Sequence, residues 1–170
     1  MGGPACGLWI PSGSRDTADL AVERMVRLIA VPAPWISRHN FNARDTRPIG
    51  GRVYEFPPPL YCSPDPCLDD GDELQIQEAF GFWPDPEHLA LGVCCNGEEA
   101  YLALADMAAY LTEETGGVID FGWLLPAATE LPGRTAVFCR DGVPGYQPRT
   151  FLDGEAMRAW SRRPDCWMLK

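Results

Sequence analysis

No lysine or arginine occurs between Arg52 and Arg134, and the intervening segment carries sixteen acidic residues. Both flanks are basic instead. Residues 1–52 hold seven arginines against four acids, and residues 134–170 hold seven cations against four acids. A chain charged in this way either folds its middle into one anionic patch or brings its ends back to neutralise it. The unbroken run without cations predicts the first: a contiguous acidic surface whose field steers basic macromolecules and raises their association rates. The plain alternative is a solvated acidic face that only keeps the protein dispersed. A formal net charge of −10 opposes direct binding to a polyanionic phosphate backbone, so nucleic acid is not an expected partner.

The rest of the composition is that of an ordinary folded domain. Hydrophobic residues make up 46% and charged residues 22% of 170, which excludes wholesale disorder and fits a single domain over 1–170. Seventeen glycines and seventeen prolines call for many turns. The start, Met1-Gly2-Gly3-Pro4-Ala5-Cys6, lacks the basic and apolar regions of a secretory signal, and Cys6 stands where a myristoylation motif needs Ser or Thr. The longest apolar stretch, residues 116–129, is broken by Asp120 and Pro126, so no membrane contact is expected. Seven cysteines in no framework spacing read as reduced thiols of a cytoplasmic protein.

Apolar periodicity gives the order of elements. Residues 6–10 read as a strand, followed by a helix with Asp16 as N-cap and Ala18, Val22, Met25, Val26 and Ile29 on its apolar stripe. Residues 52–56 alternate as a strand that Pro57-Pro58-Pro59 ends, and residues 60–71 read as a loop. A short helix is predicted over 72–80 and a doubly buried strand over 89–95. Asn96 and Glu99 have capping-box spacing before the longest helix, which Gly116-Gly117 ends. A strand at 118–121, a hairpin of 134–140 with 146–151, and a last helix capped by Asp153 complete the chain. The expected class is α+β: a mixed sheet with helices packed on one face, a split βαβ-like sandwich, and a C-terminal hairpin and helix.

Motifs for catalysis are sparse. The two histidines, His39 and His88, sit in no recognisable motif. A pairing of His88 with Cys94 or Cys95 has no nucleophile elbow to support it, and His88 reads as a surface or helix-end residue. Cys62, Cys67, Cys94 and Cys95 could supply four thiolates, but adjacent cysteines on a strand point to opposite faces, which argues against zinc. The acidic run around Asp69 to Glu73 misses the register of a calcium loop, and no phosphate-cradling glycine loop is present. No metal or cofactor is therefore expected, and no catalytic residue is assigned.

The docking residues expected from this reading are the acids Asp65, Asp69, Asp70, Asp72 and Glu73, the acids Glu98 and Glu99 that open the longest helix, and Trp83 as an aromatic anchor. Three sequence blocks carry a resemblance: Cys95-Asn96-Gly97, then Gly116 through Gly122, and Thr150-Phe151-Leu152-Asp153 with Ala159-Trp160, Arg163-Pro164-Asp165 and Met168-Leu169-Lys170. Through them the second half of the chain resembles a family of small actinobacterial proteins similar to the immunity proteins of polymorphic toxin systems, departing at Trp123 and Cys166-Trp167. That resemblance implies a non-enzymatic, toxin-neutralising role in the cytosol. The expected function is that of an inhibitor that occludes the active site of a cognate basic toxin or effector with carboxylates. A carboxylate- or metal-dependent hydrolase without a motif, or a regulatory interaction domain, are the alternatives.

Overall fold

The structure is a computed structural model that describes residues 3–32, 37, 39–65, 72–139 and 147–168. Period-two alternation explains its layering. Strand β1 (Ala5–Trp9) turns Cys6 and Leu8 to one side of the sheet and Gly7 and Trp9 to the other. Strand β4 (His88–Val93) likewise sends Leu89, Leu91 and Val93 to the first side. These join β2 (Phe41–Asn42), β3 (Pro59–Asp65), β5 (Val118–Asp120), β6 (Thr135–Phe138) and β7 (Arg149–Leu152) in one seven-stranded sheet of order β2-β3-β4-β1-β5-β7-β6.

Helices α1 (Arg15–Ile29), α3 (Glu98–Thr115) and α4 (Gly154–Ser161) cover the first side. α3 is buried almost all round, because it packs on the sheet and between α1 and α4. Its many alanines, among them Ala103, Ala105, Ala108 and Ala109, leave room for that close approach on every side. Gly116 ends it in the left-handed conformation at φ 67°, as the sequence predicts. Asp153 caps α4 as expected: one carboxylate oxygen accepts from Ala156 N at 2.9 Å, the other from Arg134 N at 2.8 Å.

The α+β class and the split βαβ unit are both present. β4 and β5 each pair antiparallel with β1, so they run parallel to one another with β1 between them and α3 as the crossover. That insertion makes all six neighbouring pairs antiparallel, where a mixed sheet was expected. Helix cover also extends to the second side. α2 (Asp72–Phe80) lays Ile76 and Phe80 against Trp9, Val118, Phe138 and Phe151, because β1, β5 and β7 are apolar on both faces and need cover on both.

Two local expectations change for identifiable reasons. Residues 60–65, expected as loop, form β3 despite Pro64. Cys94 N donates to Pro59 O at 3.0 Å, which places the hydrogen-bonded pairs with β4 at odd positions of β3 and turns residue 64 away from β4. β2 pairs with Pro59 and Leu60, so among the described residues no strand faces the missing N–H of Pro64. Residues 52–56, expected as a strand, make only the single bridge Asp45↔Val53. The amides of Glu55 and Phe56 are instead taken by the Glu99 carboxylate. The helix caps shift too. Ser14 precedes α1 in place of Asp16, and Gly97, at φ 141°, precedes α3 in place of Asn96. No described helix is long and apolar enough to cross a membrane.

Candidate docking surface

Arginines from both ends of the chain return to the acidic segment. Arg15 reaches Glu87 at 2.8 Å and Asp85 at 3.8 Å, Arg24 reaches Glu114 at 3.4 Å, and Arg158 reaches Glu113 at 2.7 Å. Arg52 lies 3.5 Å from Asp106, Arg163 3.5 Å from Glu130, and Arg149 joins both Asp72 and Asp120. These eight carboxylates are half of the sixteen in the segment. The expectation of one continuous anionic patch is therefore corrected: folding reunites the charges that the sequence separates.

Two of these pairings are buried and hold the fold. Asp106, 1% exposed in the middle of α3, accepts from Thr46 Oγ1 at 2.8 Å, from the Tyr54 hydroxyl at 2.5 Å and from Arg52. Arg52 also donates to Ser161 O at 2.5 Å, so one carboxylate ties the 46–54 segment to α3 and to the end of α4. Gly51 is required here, since a Cβ at that position would fall 2.2 Å from Asp106 Oδ2. Burial, with the Asp106 charge beside it, raises the Tyr54 hydroxyl above its ordinary value, so it stays a donor. Burial also pushes the neighbouring Cys166 thiol up to about 12.

The second buried cluster lies on the other side of the sheet. Arg149 donates to Asp120 Oδ2 at 2.6 Å and to fully buried Asp72, pinning the first turn of α2 to β5 and β7. Asp72 was expected to meet a partner, and the ion pair withdraws it from the surface. His88, expected at the surface, is buried beside this cluster and stacks on Trp9 with ring centroids 4.8 Å apart. Cys94 and Cys95 lie past the far end of β4, about 20 Å from His88 at the usual rise of six strand residues, so the Cys–His pairing is not formed. No group of three or more His, Cys, Asp or Glu among the described residues could hold a metal ion.

The other expected docking residues do not assemble. Trp83, 57% exposed, and Asp65 lie toward the His88 end of the sheet, whereas Glu98 and Glu99 lie beyond its Val93 end. Glu73 is half-buried in the first turn of α2. Asp69, Asp70 and the side chain of Asp65 lie outside the described residues.

At the Val93 end the structure adds residues that periodicity passed over. Phe56, Pro57, Pro58 and Pro59 face Cys95, Asn96, Gly97, Glu98, Glu99 and Ala100 across an open groove of about 370 Å³. Glu99 accepts from Glu55 N at 3.1 Å and from Phe56 N at 3.2 Å, and so fixes Phe56 with 72% of its surface exposed. Glu55 and Glu98 are exposed. None of Glu55, Glu98 and Glu99 meets an arginine among the described residues. Two of the three acids sit on the positive end of the α3 dipole, which favours them there without consuming their charge. The groove is thus apolar at its floor and anionic at its rim. The signal available in the sequence was Phe56 standing directly between Glu55 and the run Pro57-Pro58-Pro59, where neither a strand nor a helix continues.

Fold and groove together define an α+β domain with an anionic, proline-lined surface. A family model described as a family of unknown function (DUF6368) matches residues 2–170, and the chain belongs to that family. No curated protein and no solved structure matches it.

Proposed function

We propose that the protein is an inhibitor of the immunity type, which binds a basic effector and blocks its cationic active site. The carrying observation is the placement of Glu98 and Glu99 beside exposed Phe56, with exposed Glu55 next to it in the chain, while the eight carboxylates named above are paired with the chain's own arginines. Carboxylates held at a rim can enter a pocket built for phosphate and form charge-assisted, bidentate pairs with its arginines. Phe56 supplies an aromatic anchor at the centre of such an interface, with the Pro57–Pro59 run as its rigid surround. A stable complex of this kind buries on the order of 1,600 Å² in total. The resemblance to immunity proteins supports the same reading, and a cytosolic location with reduced thiols accompanies it.

The test is protection. The proposed effector is sought as a protein with a basic C-terminal domain encoded next to this gene; that domain is expressed in a bacterial host with or without the chain, and survival is counted. The wild-type chain restores colony formation. A Glu55→Lys, Glu98→Lys variant with unchanged circular dichroism does not. Full protection by that folded variant removes the groove's role, and absence of protection by the wild type removes the inhibitor reading.

A further inference from the structure

β6 forms one edge of the sheet. Asp153 N donates to Arg134 O at 3.0 Å, and the register pairs Ala136 with Phe151 and Phe138 with Arg149. The hydrogen-bonded pairs of β6 with β7 therefore fall on residues 134, 136 and 138, and the N–H and C=O groups of Thr135 and Val137 point away from β7. Thr150, opposite Val137, confirms the parity. It turns its own backbone to the other neighbour, donating to Trp123 O at 2.9 Å and accepting from Phe121 N at 2.8 Å. Among the described residues no group pairs with the outward backbone of Thr135 or Val137.

Exposed edges are normally protected by charge, proline, a bulge or brevity. The opposite edge, β2, is only two residues long. β6 has none of these protections: its sequence is Thr-Ala-Val-Phe, and Val137 is 46% exposed. Beside it, Gln75, Glu78 and Ala79 of α2 and Ala136, Val137 and Phe138 of β6 border an open groove of about 330 Å³.

We infer that β6 is a self-pairing edge, through which two copies of the chain join antiparallel about a two-fold axis at Ala136 and extend the sheet across both. In that register Thr135 of each copy faces Val137 of the other, and the outward groups at these two positions close four backbone hydrogen bonds. Charge favours a second copy over an arbitrary strand. Residues 134, 136 and 138 share the α2 face, and the register sets Arg134 across from Phe138 of the second copy, beside that copy's Glu78. Arg134 is 63% exposed: its Nη1 donates to Phe80 O at 2.9 Å and its Nε lies 3.7 Å from Asp153, while its Nη2 meets no described partner, and Glu78 meets no arginine among the described residues. Each copy thus offers a cation to the aromatic and acidic groove of the other, twice per interface. Exposed Leu74, one turn before Glu78 on the same row of α2, adds apolar area. This pairing uses none of the residues of the Phe56 groove, so either proposal can fail without the other.

Sedimentation equilibrium of the full chain from about 1 to 100 µM tests it. The expected weight-average mass rises toward twice the 18.8 kDa of one chain. Val137→Lys places a charge on the edge, and Val137→Pro removes an N–H that β7 does not use. Both variants keep their far-UV dichroism and raise the dimer dissociation constant about tenfold or more, the loss expected from two backbone hydrogen bonds. Arg134→Glu weakens the dimer, and adding Glu78→Arg restores it. A wild-type chain that stays at one-chain mass throughout overturns the inference, as does a Val137→Lys variant that dimerises undiminished. Amide protection of Thr135 and Val137 that arises only when a foreign peptide is added also overturns it, in favour of strand addition by that peptide.

Discussion

The middle and the beginning of α3 put the same chemical group to opposite uses. At Asp106 the carboxylate is enclosed, met by a hydroxyl from Thr46, a phenol from Tyr54 and the guanidinium of Arg52. Two turns earlier, Glu98 and Glu99 stand at a groove with no arginine among their described neighbours. What separates them is what the rest of the chain packs over each turn. The 46–54 segment and the end of α4 close over Asp106, and only the rigid proline run faces Glu98. The acidic segment therefore holds two populations, one paired within the fold and one left exposed. The two populations should respond differently to mutation, because a buried charge that loses its partner keeps its desolvation cost, whereas an exposed one keeps its water.

The largest effect is expected at the other enclosed cluster. Arg149→Met leaves Asp72 and Asp120 buried without their cation and should cost about 3–5 kcal/mol in urea denaturation. A cost below about 1 kcal/mol would place those carboxylates among the exposed population instead. Asp106→Ala leaves the Tyr54 hydroxyl unmet in the core and Arg52 without its carboxylate, and should cost about 3 kcal/mol by the same measurement.

Alkali should act most strongly on the enclosed side. The Cys166 thiol ionises near its ordinary value of 9.0 in the unfolded chain and near about 12 when folded. The native state thus holds a proton that the unfolded state has released, and stability falls as pH rises from 9 toward 12. Cys166→Ala should make the decline of the urea midpoint over that window shallower. An unchanged decline would assign it to other buried groups, such as Tyr54.

Smaller effects sharpen the other half of the comparison. Asp153→Ala removes the α4 cap and should cost about 1 kcal/mol. Glu98→Lys, on the exposed turn of α3, should stay within about 0.5 kcal/mol of the wild type. A Glu98→Lys variant as unstable as Asp106→Ala would erase the distinction between the two populations.

Local order was legible in the sequence wherever periodicity and punctuation agreed. The runs that became β1 and β4, the stop at Gly116, the Asp153 cap and the β6–β7 pairing all follow from spacing and turn residues. β3 was hidden because Pro64 reads as a breaker, and only the register shows that its missing N–H faces no described strand. The second-side position of α2 was hidden because Ile76 and Phe80 mark an apolar face without saying which side of the sheet it meets. The charge pairing was least legible. Arg15 meets Glu87 across 72 positions, Arg24 meets Glu114 across 90 and Arg149 meets Asp72 across 77. Such distances are closed by topology, and no local pattern encodes them. Of the expected docking residues, Glu98 and Glu99 fall at the groove and Asp72 lands against the sheet although all three open a helix, because tertiary packing and not the helix start decides which way a first turn faces.

The most direct measurement is a calorimetric titration of the proposed basic effector domain, sought in the adjacent gene, into wild-type protein and into the Glu55→Lys, Glu98→Lys variant, with thermal unfolding recorded for both. The account predicts binding by the wild type that weakens with added salt, a loss of affinity of about a hundredfold or more in the variant, and melting temperatures that agree. Equal affinities for two equally stable proteins would contradict it.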